Sequence, residues 1–174
     1  MNVVQELAAR TLLVILAAAV VQDFMYMKIS NRLILMGILF SLAFGLTTGD
    51  PKQVIYVLAN LSFPVIVLYL LYLLGVLGAG DIKLFSIIGG FTNFRLLISC
   101  MFFSFVAAAV IAVCKMLYNR NFCGSLLRAG TYFRCLRQEG IVSYHKEWAE
   151  HRNLMHFSVA ILIGYIAAVA VQVL

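Results

Sequence analysis

Six apolar runs alternate with short polar joints along the chain, at 7–21, 33–46, 54–77, 82–91, 96–117 and 154–174. The joints are QDFMYMKISNR at 22–32, TTGDPKQ at 47–53, a GAGD turn at 78–81 and TNFR at 92–95. Only helices or closed barrels satisfy their backbone in lipid, and none of the runs alternates as a barrel strand does, so the pattern predicts helices throughout. Crossing roughly 30 Å of hydrocarbon takes about 20 residues at about 1.5 Å each. The fourth run is too short for that. It is expected either to tilt and use its flanks or to stand as a half-helix shielded by its neighbours. Pro64 is expected to kink the third helix. One longer polar segment occupies 118–153. The expectation is an all-α, polytopic membrane bundle of about six transmembrane helices, with residues 1–174 forming a single domain.

Composition turns that pattern into a statement about solvent. Hydrophobic residues make up 64% of the chain, charged residues 11%, and mean hydropathy is +1.01. A soluble domain of 174 residues cannot hide that much apolar surface, so lipid is the solvent for much of it. The first run has some marks of a secretory signal peptide, including Ala17, Ala18 and Ala19. Glu6 and Arg10 interrupt it, however, no basic stretch opens it and basic residues follow it, so it is read as a retained first span.

The net charge of +6 matters through its distribution between loops. With the N-terminus outside, the inner side receives Lys28, Arg32, Lys83, Lys115, Arg120, Arg128, Arg134, Arg137, Lys146 and Arg152, and the outer side Arg10, Lys52 and Arg95. That asymmetry obeys the positive-inside rule, and the opposite topology violates it. It predicts a multi-pass protein of the plasma membrane, and no nucleic-acid partner is expected. Within 118–153, Arg128, Arg134 and Arg137 mix with Leu126, Leu127, Tyr132, Phe133 and Leu136. This reads first as an interfacial helix drawn to anionic lipid, and second as a docking surface for a partner. Cys100, Cys114, Cys123 and Cys135 form no CxxC pair; Cys100 and Cys114, in apolar sequence, are expected to be packing residues.

Five of the seven acids have ordinary explanations. Glu6 and Asp50 lie on the outer side, and Glu139, Glu147 and Glu150 belong to the polar segment. Asp23 and Asp81 remain, each at the inner end of an apolar run, where retaining an ionisable group implies function. Two carboxylates held close share one proton, so one member is charged while the other is a neutral acid. The charged member takes a proton from water and the neutral one polarises a carbonyl, which is peptide hydrolysis without metal or covalent intermediate. Helix dipoles suggest the assignment: Asp81 opens a helix and is the base, whereas Asp23 follows a helix end and is the acid. The bland alternative for Asp81 is a helix N-cap.

The neighbours of Asp81 have their own readings. Gly78 and Gly80 are expected to supply dihedrals closed to other residues and to let a substrate backbone approach. Lys83 either biases the local charge or snorkels to the interface. Two weaker signals are set aside. Ser143 to Lys146 matches SxxK without its companion motifs, and His145, His151 and His156 form no metal-binding pattern.

The chain resembles the type IV prepilin peptidases and archaeal preflagellin peptidases, a family of GxGD-type aspartic membrane proteases. Asp23, Ile29 and Asn31 hold the places of the signature D-x5-I-x-N, and Gly78, Gly80, Asp81, Lys83 and Leu84 those of GxGDxKL. HFSVAILIG at 156–164 is similar to a weaker C-terminal signature. Family members usually carry proline where this chain has Ser30 and His156. The resemblance implies an endopeptidase that removes the short basic leader from prepilin-like single-span precursors at the cytoplasmic face. Asp23 and Asp81 would be catalytic, Gly78, Gly80, Lys83 and Asn31 supporting, and no cofactor is needed. The zinc-binding, methyltransferase-linked extension of many bacterial relatives is not expected here. Two other classes of function remain: a small transporter or proton relay using paired aspartates, and an inactive scaffold of a pilus or secretion assembly.

Overall fold

A computed structural model describes residues 3–26, 29–47, 51–74, 76–118 and 157–173. Among them are six helices and no strand: α1 (Val3–Tyr26), α2 (Asn31–Leu46), α3 (Pro51–Leu73), α4 (Ala79–Phe91), α5 (Phe94–Tyr118) and α6 (Phe157–Val173). The 118–153 segment lies, from residue 119 on, outside the described residues, as do the SxxK serine and the three histidines. The chain forms two compact units, one of 1–107 with 156–174 and one of 108–155. The first holds the candidate site described below.

Among the described residues three helices are long and apolar enough to cross a membrane, within Glu6–Tyr26, Lys52–Leu73 and Phe94–Lys115. Side chains such as Val14 and Ile66, 68% and 73% exposed, are at home against acyl chains and costly against water. The chain is an all-α helical membrane bundle. α2 and α6 are equally apolar but shorter.

The 13-residue α4 is the centre of the packing. Ile82 and the whole stretch from Leu84 to Gly90 are buried, against α1, α2, α3 and α6. A stretch shielded by its neighbours in this way presents little backbone to lipid, so it need not span the hydrocarbon. The half-helix expectation for the fourth run is therefore the one that describes it.

Pro64 explains how α3 and α4 fit. Lacking an N–H, it leaves the Asn60 carbonyl without its usual intrahelical donor. That carbonyl points at Gly89, where any Cβ would collide with it. The Asn60 side chain, 7% exposed, donates from Nδ2 to the Thr92 carbonyl at 3.2 Å and so ties off the end of α4. The third apolar run continues to 77, but α3 stops at Leu73. The chain then folds back, with the Val76 and Leu77 N–H groups on the Leu71 carbonyl and Leu77 5% exposed. An apolar residue buries equally well in a turn as in a helix, and this one does. Of the cysteines, Cys100 packs inside as expected, whereas Cys114 is exposed on α5.

Candidate active site

The two signature segments meet at the end of the bundle where α4 begins. In the last turn of α1, Gln22 accepts at Oε1 from the Ser30 N–H (3.0 Å), bringing the chain back to α1 as α2 starts. Ser30 is the N-cap of α2, extended at φ −65° and ψ 130°, and its hydroxyl accepts from the Arg32 N–H at 3.3 Å. A proline at position 30 would have neither the N–H for Gln22 nor the hydroxyl for the cap. The departure from the family pattern is thus used by the turn itself.

Ile29 lies over Gly80, where an added Cβ would stand 3.2 Å from Ile29 Cδ1. Lys83 donates from Nζ to Asn31 Oδ1 at 3.0 Å. Ile29 and Asn31 of the first signature therefore touch Gly80 and Lys83 of the second. Asp23 directly follows Gln22, and Asp81 sits between Gly80 and Lys83, so both carboxylates belong to this end and both are half-buried.

A second route joins them from the other side. Phe85 follows Asp81 by one helical turn on the same face of α4. Its ring meets Phe157, at the start of α6, with centroids 6.3 Å apart, and Phe105 packs on both at 6.2 and 5.8 Å. The next residue, Ser158, donates from Oγ to Asp23 Oδ2 at 2.6 Å.

Four expectations about Asp81 and its neighbours change in detail. Asp81 is not the N-cap of α4: Gly78 is, and Asp81 is the third helical residue. Gly78 has ordinary extended dihedrals, φ −78° and ψ 148°, so no unusual backbone conformation calls for glycine there. What calls for it is room, since a Cβ would stand 3.0 Å from Asp81 Oδ2. Likewise the space over Gly80 is filled by Ile29 rather than kept for a substrate backbone. Lys83 is a tie between α2 and α4, which neither of its two expected roles described.

The electrostatic setting follows from the helix ends. Asp81 lies in the first turn of α4, Asn31 opens α2, and Ser158 is in the first turn of α6. Three N-terminal ends, each carrying positive partial charge, lie at the end of the bundle that holds the two carboxylates, and the C-terminal ends of α1, which bears Asp23, and of α3, which leads to Gly78, lie there too. Among the described residues no group of three or more His, Cys, Asp or Glu is placed to hold a metal ion.

Residues 11–113 match the type IV leader peptidase family, more than half of the chain and all of both signatures. The chain belongs to the type IV leader peptidase family. No curated protein and no solved structure gives a significant match. Membership makes the chain a membrane hydrolase of the prepilin peptidase class. Within that class, its described residues place Asp23, Ile29, Asn31, Gly78, Gly80, Asp81 and Lys83 at one end of one bundle. Sequence reasoning had given no role to Gln22 or Ser158. For Gln22 the available signal was an amide directly before the aspartate, at a helix end. Ser158 stands within the HFSVAILIG segment that resembles the C-terminal signature, but its partner, 135 residues away, cannot be read from residue order.

Proposed function

We propose that the chain is a membrane-embedded aspartic endopeptidase that removes short basic leaders from prepilin-like precursors at the cytoplasmic face, with Asp23 and Asp81 as its dyad. The observation that carries this reading is the contact of the two signatures, Ile29 on Gly80 and Lys83 on Asn31, which sets both aspartates at one end of the bundle. The family match supports hydrolysis of a leader junction. The charge asymmetry of the loops supports the cytoplasmic side. On this reading residues 1–174 act as one peptidase domain in a plasma membrane with anionic lipids, and the apolar helix of the precursor packs laterally against it.

The chemistry follows from one shared proton. Ionised Asp81 removes a proton from water as the water oxygen attacks the scissile carbonyl carbon, and protonated Asp23 gives its proton to the carbonyl oxygen. The tetrahedral diol then collapses. Its hydroxyl proton returns to Asp23, the C–N bond breaks, and the departing nitrogen takes the proton held by Asp81. Both carboxyls regain their starting states, and water is the only co-reactant. Gly78 leaves room for the Asp81 carboxylate, while Gly80, Asn31 and Lys83 hold the α1–α2 turn against α4.

The test is cleavage by the purified chain in lipid of a reporter with a basic leader ending in glycine, followed by an apolar helix. Leader loss with the wild type and none with Asp23→Asn or Asp81→Asn is the expected result. Equal cleavage by all three would overturn the dyad.

A further inference from the structure

Ser158 stands apart from the other hydroxyls of the bundle. Those of Thr11, Ser41, Ser62, Ser86 and Ser104 each turn back onto a carbonyl of their own helix, the usual fate of a hydroxyl in an apolar helix. Ser158 instead reaches from α6 to a carboxylate on α1, at 2.6 Å, and it is 1% exposed. Its helix is held in place beside the site by the Phe85, Phe105 and Phe157 rings. It lies outside the matched residues 11–113 but inside the 156–164 segment that is similar to the weaker C-terminal signature.

We propose that Ser158 is a positioning residue for the dyad: by donating to Asp23 Oδ2 it keeps that oxygen an acceptor, so that Asp23 carries its catalytic proton on Oδ1. The inference rests on the dyad reading above and adds to it which oxygen does the work. A neutral carboxyl has one O–H and one carbonyl-like oxygen, and rotation exchanges them. A buried hydroxyl with a single proton to give breaks that symmetry. It also resists rotation of the carboxyl, because turning Asp23 would leave the Ser158 donor buried without its acceptor. Catalytic groups held this way lose rate, not substrate affinity, when the supporting bond is removed.

Ser158→Ala and Ser158→Thr in the full-length chain, in lipid, with the leader reporter, make the test. Ser158→Ala is expected to lower kcat about 10- to 100-fold with KM within about twofold, at an unchanged unfolding temperature. Ser158→Thr, which keeps the hydroxyl, is expected to stay closer to wild type than the alanine variant. Wild-type kcat in Ser158→Ala, a change confined to KM, or equal losses in both variants would overturn the proposal and leave Ser158 a packing residue. Asp23→Asn measured alongside separates the two levels. If it cleaves like wild type the dyad itself fails, whereas an inactive Asp23→Asn beside a fully active Ser158→Ala sinks only the role of Ser158.

Discussion

The two ends of α4 are built from similar materials and put to different use. At its C-terminal end the polar groups are tied off by the protein: Asn60 donates to the Thr92 carbonyl, and the Thr92 hydroxyl donates to the Ile88 carbonyl at 2.7 Å. Gly89 and Gly90 there are buried against α3 and α2, with Ser41 and Leu61 over Gly90. At the N-terminal end, polar side chains from α1, α2 and α6 converge, yet the two carboxylates stay half-buried. Close approach of backbones marks the first end, and side-chain ties around accessible acids mark the second. In a membrane protein ionisable groups are retained where they serve a function, and the proposed chemistry belongs to this second end.

Five substitutions sharpen that contrast, in falling order of expected effect. Asp23→Asn and Asp81→Asn should each lower kcat by about 10²–10⁴-fold while leaving the unfolding temperature near wild type. Reporter cleavage and thermal unfolding in the same lipid would read both. If either variant unfolded early and cleaved normally, the carboxylates would be structural and the two ends of α4 alike. Gly89→Ala should do the reverse. Its Cβ meets the Asn60 carbonyl, a rigid backbone atom, so a loss of about 1–3 kcal/mol in stability is expected. A denaturation curve in detergent checks it, and a neutral result would show that α3 and α4 can move apart there.

Asn60→Ala strips the donor from the Thr92 carbonyl and should cost about 1–2 kcal/mol, again without a change in KM. Lys83→Met removes an exposed tie to Asn31, so the expected effect is the smallest. We predict at most about 1 kcal/mol in stability, and in kcat at most about a fivefold loss. Pairing it with Asn31→Ala in a double-mutant cycle would show whether the two act through their shared bond, in which case the losses do not add.

Much of this bundle was legible from residue order. Apolar runs bounded by Gly, Pro and polar joints mark the helices, because in lipid a helix must be apolar along nearly its whole length. Leu77 shows where that signal fails, since hydrophobicity does not distinguish a buried turn from a helix. The site was legible as far as its motifs are local: Gly78 to Lys83 lie within one turn and a half, and Asp23 to Asn31 within one joint. What those motifs do to each other was not. That Ile29 fills the space over Gly80, or that Lys83 ends on Asn31, depends on how α2 packs on α4. Asp81 at the third position of its helix rather than the cap changes little chemically, because both positions feel the same dipole. The role of Ser158 was the least legible of all: its segment resembles a family signature, but a serine in an apolar helix reads like the others until its partner is seen.

The central claim is that Asp23 and Asp81 act as one unit, and the double variant tests it most directly. Cleavage rates of Asp23→Asn, Asp81→Asn and the two combined, measured on one reporter in one lipid, are compared. Groups that share a proton fail together, so the double variant is predicted to be no slower than the slower single one. Losses that multiply would mean two independent contributions, and the dyad would be contradicted.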